Sequence, residues 1–119
     1  HEIFKRAEEN LYYELPISFT NAALGTSVEV PSIDGGKSKI KIPAGTQHGK
    51  QFRLRGKGMP VLRGNNFGDL YIRINTQVPT SLTKKQKDIL EEFNEIENNK
   101  PDPVIKNFFE KAKKFWSNS

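Results

Sequence analysis

The sequence contains no cysteine and no apolar run that approaches the roughly 20 residues of a membrane-spanning helix. The first absence excludes a disulfide framework, a thiolate nucleophile and a cysteine-ligated zinc or iron–sulfur site. Apolar residues make up only 34% of the 119 residues, so part of the chain is expected to be exposed surface or tail. Because the N-terminus is also too charged for a signal peptide, we expect a soluble, cytoplasmic protein with one hydrophobic core and no membrane partner.

Groups that could carry catalysis or bind a metal are few. Histidine occurs only as His1 and His48, and neither has a further ligand at metal-binding spacing. The stretch "GTQHGKQ" (45–51) has too few residues between its glycines for a phosphate-binding loop, and no Ser or Thr follows its lysine. Asp34 and Asp69 are interpreted as turn residues and not as an acid–base pair. We therefore predict that the chain is not an enzyme and holds no metal or cofactor.

Acidic residues are absent from residues 37–63, which carry eight Lys or Arg in a chain of net charge +5. Such a field could bind single-stranded nucleic acid in a salt-dependent manner. The alternative, which we favour, is a solvated strand face, because lysines alternate with Ser and Ile in "KSKIKIP" (37–43). The basic stretch "RLRGKGMP" (53–60) is predicted to be a turn in which Gly56 and Gly58 adopt backbone angles that other residues resist.

Apolar residues that alternate with polar ones predict several short strands. The strand candidates are "LYYELPISF" (11–19), "SVEVPSI" (27–33), "KSKIKIP" (37–43), "KQFRLRG" (50–56) and "DLYIRINTQVP" (69–79). Phe19 shares the apolar face of the first candidate (11–19), and Pro16 suggests that this strand lies at an edge of its sheet. "NAALG" (21–25) predicts a short helical turn closed by Gly25. The fold class is therefore mostly β, with a small antiparallel sandwich or barrel-like domain over residues 1–80.

Towards the C-terminus the pattern becomes helical. Apolar residues at spacings of three and four predict a helix over residues 81–97, with Thr80 or Ser81 as its N-cap. Two prolines then predict a linker over residues 98–103. Residues 104–119 repeat apolar pairs with lysines opposite, which predicts an amphipathic helix with a wide aromatic face.

Four stretches of the chain resemble the second C-terminal β-domain and tail of the bacterial DnaJ co-chaperones. They are "ELPISFTNAALGTSVEVPSIDG", "IKIPAGTQHGKQFRLRGKGMP", "GDLYIRINTQVPTSLTKKQKDIL" and "FFEKAKKFW". Within them Ala-Leu-Gly (23–25), Pro-Ala-Gly (43–45), Arg-Gly-Lys-Gly (55–58), Gly-Asp-Leu (68–70) and Leu82 with Gln86 occur in family order. The resemblance implies a client-binding and dimerisation module of a co-chaperone that binds unfolded protein and delivers it to a DnaK-type ATPase chaperone.

Several parts of that family have no counterpart in these residues. The chain contains no His-Pro-Asp loop of a J-domain, no Gly/Phe-rich linker, no cysteine repeats and no first β-domain. It also opens at His1 where a methionine would be expected, so we expect a fragment of a longer parent. The resemblance implies that the parent binds zinc through a cysteine-rich region outside this chain.

The resemblance also suggests where a client would bind. An unfolded client offers apolar side chains and unpaired backbone, so its receiver needs an apolar groove beside an exposed strand edge. The candidates for this surface are Val28, Val30, Ile40, Ile42 and Phe52. The alternative is that these five residues are ordinary core.

The helical segments carry more apolar surface than a small domain needs for its own core, and such a surplus commonly marks an interface. In the resembled family the region after this β-domain joins two protomers. We therefore expect a homodimer whose interface contains Leu82, Ile89, Leu90, Phe93, Phe108, Phe109, Phe115 and Trp116. Docking of the tail on its own domain is the alternative.

Overall fold

The computed structural model describes residues 5–7, 9–33, 35–61 and 66–117. The strands are β1 (Lys5–Ala7), β2 (Asn10–Ser18), β3 (Thr26–Pro31), β4 (Lys37–Ile42), β5 (Gln51–Leu54) and β6 (Leu70–Gln77). The helices are α1 (Phe19–Leu24), α2 (Lys84–Asn99) and α3 (Pro103–Ser117). The chain forms two compact units, residues 1–79 with the strands and residues 80–119 with α2 and α3.

The strands of the first unit form two sheets. One has the order β1-β2-β6-β5, and the other pairs β3 with β4. The predicted fold class, a small β-rich domain followed by C-terminal helices, is confirmed. Three pairings are antiparallel as predicted, but β2 and β6 run parallel. Their register places Leu11 beside Leu70 and Leu15 beside Ile74, so the apolar faces of the two strands coincide.

Both sheets contribute to one hydrophobic core. The buried cluster contains Leu11, Leu15, Ile17, Val30, Ile40, Ile42, Leu70, Ile72 and Ile74. The three β6 side chains in this cluster are at most 1% exposed, because β6 is flanked by β2 and β5 and faces the second sheet's apolar residues. Each such aliphatic side chain contributes about 1.5–3 kcal/mol relative to leaving it in water. The alternation in the sequence predicted these inward positions.

Helix α1 turns the chain from the first sheet into the second. The Ser18 hydroxyl accepts a hydrogen bond from the Asn21 amide at 3.2 Å and caps the helix, so the prediction that Phe19 continues the strand is wrong. Gly25 ends the helix with φ of 85°, which confirms the predicted short helical turn. A Cβ on Gly25 would lie 2.9 Å from the Ala44 nitrogen. The Ala-Leu-Gly and Pro-Ala-Gly turns are therefore in contact at a position that only glycine fits.

Strand β2 is not an edge strand, so the prediction from Pro16 is wrong. It lies between β1 and β6 in the sheet order. Proline is tolerated here because β1 pairs only with Asn10–Tyr12, while Pro16 is paired with Asn75 of β6. On the other side of Pro16, no strand of the described chain requires an amide donor.

The turn after β5 depends on two glycines for different reasons. Gly56 has φ of 72°, in the left-handed region, and nothing lies within 4 Å of a Cβ built on it. Gly58 does not have a positive φ, so that part of the prediction is wrong; instead, its Cβ would lie 2.6 Å from the Glu9 carbonyl oxygen and 2.7 Å from that of Asp69. The Gly58 amide donates to the Gly68 carbonyl at 2.8 Å, and the Met59 amide donates to the Glu9 carbonyl at 2.8 Å. Three backbone segments thus meet where no side chain has room.

Helix α2 begins at a capping box. The Thr83 hydroxyl accepts from the Gln86 amide at 3.1 Å, and the Gln86 side-chain oxygen accepts from the Thr83 amide at 2.9 Å. The predicted N-caps Thr80 and Ser81 are therefore wrong. The Thr-x-x-Gln spacing is itself the sequence signal for this box.

The two helices of the second unit are joined by residues 100–102. Pro103 is the first residue of α3, where its missing amide and fixed φ suit a helix start. The Asp102 carboxylate accepts from the Val104 amide at 2.8 Å and caps this end. The connection is thus shorter than the predicted linker of residues 98–103, because a proline at the first helical position opens α3.

The two glycine roles predict different tolerances to asparagine. Gly56→Asn should lower the free energy of unfolding by less than about 1 kcal/mol, because asparagine adopts the left-handed region more readily than other residues. Gly58→Asn should lower it by about 1–3 kcal/mol or more, because the added Cβ meets rigid backbone. Equilibrium urea unfolding of both variants measures the difference. Equal losses would contradict the distinct roles.

Candidate functional site

The five predicted client-binding residues divide into two groups. Val30, Ile40 and Ile42 are 1–4% exposed and belong to the core. Val28 and Phe52 are half-buried and pack against the same core. In this conformation a client could reach only the second group. The core alternative that the sequence left open therefore accounts for the first three.

The sheet formed by β3 and β4 has unpaired outer edges among the described residues, because each of these strands pairs only with the other. Large apolar side chains flank β3 at both ends. Leu24, just before the strand, is 79% exposed, and Ile33, just after it, is 39% exposed. Sequence reasoning missed both, since Leu24 was considered only as part of a turn motif and Ile33 only as the end of a strand.

The basic field of the sequence is divided between two surfaces. Lys39 and Lys41 are exposed on the outer side of the β3–β4 sheet, whereas Arg53 is exposed on the outer side of the four-stranded sheet. Because both sheets turn their inner sides to one core, these outer sides face away from each other. Arg63 lies outside the described residues. The described cations Lys39, Lys41 and Arg53 are therefore divided between two separate surfaces.

An aromatic row crosses the outer side of the four-stranded sheet. The Tyr12 and Tyr71 rings stack with centroids 5.1 Å apart and an interplanar angle of 11°. The Arg53 guanidinium carbon lies 6.0 Å from the Tyr71 ring centroid. The register pairs Tyr71 with Tyr12 on one side and with Arg53 on the other. Alternation alone marked these residues as outward, but it could not indicate which of them are neighbours.

Asp69 anchors the basic turn to the sheet. Its Oδ2 accepts from the Arg53 guanidinium at 2.6 and 2.7 Å, and its Oδ1 accepts from the Gly56 amide at 3.0 Å. Two hydrogen bonds hold the pKa of the Asp69 carboxyl below its ordinary value of 3.8. The bond from the Gly56 amide has the larger effect, and the bond from Arg53 the next largest. The Asp69 amide donates to Asn10 Oδ1 at 2.8 Å. Asp69 lies immediately before β6 and not in a turn itself, and its carboxylate binds the turn at Gly56, while Asp34 lies outside the described residues.

The loop over residues 45–51, which was compared with a phosphate-binding loop, has amides that donate to backbone carbonyls of the same unit. The Gly49 amide donates to the Ile74 carbonyl at 2.8 Å, and the Ile74 amide donates to the Lys50 carbonyl at 2.8 Å. His48 Nδ1 accepts from the Thr76 amide at 3.0 Å. The loop therefore extends the pairing of β5 with β6, and His48 has a structural hydrogen bond rather than a relay partner.

The predicted interface residues lie in the second unit, where no described side chain is buried. The exposed ones are Leu82, Ile89, Phe93, Phe108, Phe109, Phe115 and Trp116, while Leu90 is half-buried. Phe108 and Phe109 contact each other edge to face, with centroids 5.3 Å apart. The apolar surplus predicted from the sequence is thus present on α2 and α3 of the single chain.

The described residues contain no group of three or more His, Asp or Glu that could hold a metal ion. Of the helices in the described ranges, none combines the length and apolar character needed to cross a membrane. The described features that remain are open strand edges and exposed apolar helix faces, which are surfaces to which polypeptide segments can bind.

Comparison with known proteins identifies the family. Residues 1–79 match the family described as DnaJ C terminal domain, and residues 85–118 match the one described as Chaperone protein DnaJ C-terminal region. The chain therefore belongs to the C-terminal domain family of the DnaJ-type co-chaperones. The family is not catalytic, which confirms the prediction that the chain is not an enzyme.

The relatives are longer proteins named chaperone protein DnaJ, and this chain matches one part of each. It is 64% identical over 118 residues to the chaperone protein DnaJ of Pelagibacter ubique, covering 99% of this chain and 31% of that protein. It is 52% identical to the DnaJ of Rhodobacter capsulatus and 50% identical to that of Ruegeria pomeroyi, covering 98% of this chain and 30% of each. The chain thus spans about a third of the length of these relatives.

The Asp69 anchor predicts a pH-dependent contribution to stability. Asp69→Asn should lower the free energy of unfolding at pH 7, because the charge-assisted bonds to Arg53 and Gly56 are lost. Since the pKa of Asp69 is depressed in the folded state, this contribution is present above its unfolded pKa and is lost as pH falls through the folded one. The gap between the wild-type and variant proteins should therefore close in acid. Urea unfolding from pH 7 to pH 2 measures it.

Glu14→Gln is the matched control, because it removes one exposed carboxylate from the outer side of the same sheet. A gap for Asp69→Asn that stays constant across the pH series would contradict the anchoring role of the Asp69 charge.

Proposed function

We propose that this chain is the client-binding and dimerisation module of a DnaJ-type co-chaperone, which binds unfolded protein and delivers it to a DnaK-type ATPase chaperone. The family and the name "chaperone protein DnaJ" of its relatives support this class of function. The observation that carries the client-binding part is the β3 edge between two exposed apolar side chains. Delivery to the ATPase is proposed for a protein of the relatives' full length, because this chain spans only about a third of them.

The client would bind by adding a strand to the β3–β4 sheet. An extended segment of unfolded protein has unpaired amides and carbonyls, and an open edge offers their complement. The six residues of β3 span about 20 Å at roughly 3.3 Å per residue. Leu24 and Ile33 at the two ends, with the half-buried Val28 between them, would contact apolar side chains of that segment. Backbone pairing tolerates many sequences, as a receiver of varied clients requires.

The half-buried Phe52 is the second apolar candidate for client contact that the core does not fully cover. It lies on β5, an outer strand of the four-stranded sheet. A client strand on that edge would meet Phe52 and Leu54, which share the inward side of β5. We give it second place because Asp69 already binds Arg53 of β5 and the Gly56 amide of the turn that follows.

Binding of single-stranded nucleic acid is the alternative from the sequence, and the geometry favours it less. A nucleic-acid strand needs a continuous cationic track with aromatic side chains on which bases stack. Here the β4 lysines and the arginine near Tyr71 lie on opposite outer surfaces, and Asp69 neutralises that arginine. A weak, strongly salt-dependent affinity for a labelled strand is the most that we expect.

The exposed apolar faces of α2 and α3 support the dimerisation part of the proposal. Seven aromatic or aliphatic side chains of the predicted interface remain exposed in the single chain. An apolar surface of this kind tends to be covered by a partner. Most soluble oligomers are homo-oligomers, so a second copy of the chain is the partner that we propose.

The double variant Leu24→Ser and Ile33→Ser tests client binding. It should weaken binding of reduced and alkylated lysozyme by about tenfold, or about 1.4 kcal/mol, because two apolar contacts at the ends of β3 are lost. Both residues are exposed, so the free energy of unfolding should change little. Val78→Ser is the control, since Val78 is 73% exposed but lies beyond β6. Unchanged affinity in the double variant, measured by fluorescence anisotropy, would remove the β3 edge as the client site.

Deletion of residues 104–119 tests dimerisation. The truncated chain should self-associate more weakly, because it loses most of the aromatic side chains of the expected interface. Sedimentation equilibrium across a dilution series measures the dissociation constant of both chains. An unchanged average mass at every concentration would exclude the tail from the interface.

A further inference from the structure

Helix α2 has its charges in the order that its own dipole disfavours. Lys84, Lys85 and Lys87 occupy its first turn, which contains no acid. Residues 88–99 carry five acids and no base, and the last turn contains no cation. Acids stabilise the N-terminal end of a helix and bases the C-terminal end, so both halves of α2 oppose the macrodipole. A local rule broken in this consistent way indicates that the charges serve a contact made elsewhere.

Helix α3 has the complementary charge. Residues 103–117 carry four lysines and one glutamate. Asp102 caps its N-terminus and Lys114 lies in its last turn, so α3 agrees with its own dipole. Of the two helices, only α2 therefore has charges that oppose its own dipole, and α3 carries a surplus of the opposite charge.

Each helix also presents an apolar stripe beside its charges. On α2 the stripe contains Ile89, Phe93 and Ile96, which are 54–63% exposed. Asp88, Glu92 and Glu95 follow the same spacing of four and three along one flank of that stripe. On α3 the stripe contains Val104, Ile105, Phe108, Phe109 and Phe115, and Lys111 and Lys113 fall on its two flanks by helical spacing. The two faces are therefore matched in both apolar surface and charge.

The two faces do not cover each other within one chain. Phe93 and Phe108 remain 54% and 64% exposed. Among residues 80–117 no ion pair joins an acid of α2 to a lysine of α3. The connection is only residues 100–102, and prolines at 101 and 103 restrict Lys100 and Asp102 to extended angles.

We infer that α3 of one copy packs against α2 of a second copy, and that the exchange is reciprocal. The apolar stripes of the two helices meet, and the lysines of α3 lie beside the acids of α2. This inference rests on the proposed dimerisation and assigns its contacts. Two α3 helices packed on each other would bring lysines together, and two α2 helices would bring acids together, so the charges select the mixed pair.

Charge reversal in two separate chains tests the pairing. The first variant of the 119-residue chain carries Asp88→Lys, Glu92→Lys and Glu95→Lys. The second carries Lys106→Glu, Lys111→Glu and Lys113→Glu. In either variant alone, α2 and α3 have charges of the same sign and should repel each other across the dimer. In a heterodimer of the two variants, each α2 again faces an α3 of opposite charge. The control variant carries Lys37→Glu, Lys39→Glu and Lys41→Glu, which changes the same total charge on β4.

The expected result is a dissociation constant raised about tenfold or more for each helix variant alone. The equimolar mixture should form a heterodimer with a dissociation constant within about threefold of wild type, and the control should dimerise normally. Sedimentation velocity measures the association, native mass spectrometry identifies the heterodimer, and circular dichroism verifies the helix content of each variant.

Other outcomes overturn the inference in distinguishable ways. If each variant alone dimerises as wild type does, α2 and α3 are not the paired faces, although dimerisation itself stands. If both variants are weakened and the mixture is not restored, the two helices pair within one chain. If the wild-type chain is monomeric at every concentration, the proposed dimerisation fails before its contacts are in question.

Discussion

Burial of Leu70, Ile72 and Ile74 on β6 is the interaction on which the first unit depends. These side chains are at most 1% exposed because β6 has a paired strand on each side and an apolar layer beneath it. The parallel pairing with β2 sets the order of the sheet, and it requires the chain to leave β2, form the second sheet and return. The β3–β4 sheet lies within the connection from β2 to β6. Because these two strands pair only with each other, their outer edges are unpaired among the described strands.

The second unit is not stabilised by a buried core of its own described residues. Its helices have well-formed caps at Thr83 and Asp102, but no described side chain in it is buried. Caps fix where a helix begins, whereas most helix stability in proteins comes from packing of an apolar face. The proposed assembly supplies that packing from a second chain. In the proposed function, client capture and assembly would depend on separate units, so each could be altered without the other.

Local patterns in the sequence predicted strands β2 to β6, but they predicted neither β1 nor the contacts between distant segments. Alternation identified the inward residues of β6 because it depends only on neighbours within one strand. The role of Asp69 could not be read in the same way, since Arg53 and Gly56 lie 16 and 13 residues away and only the turn brings them together. Gly58 is constrained by Glu9 from another part of the chain, and parallel pairing leaves no local signature in β2. The Thr83–Gln86 box does have a local signal in its Thr-x-x-Gln spacing, although the predicted N-caps were Thr80 and Ser81.

We propose that the first unit is stable by itself, while α2 and α3 obtain their packing from a second copy. Hydrogen exchange measured by mass spectrometry, at protein concentrations below and above the dimer dissociation constant, distinguishes the two units. We expect amides of residues 70–77 to be strongly protected at both concentrations, and amides of residues 84–117 to gain protection only at the higher one. Equal protection of residues 84–117 at both concentrations would contradict it.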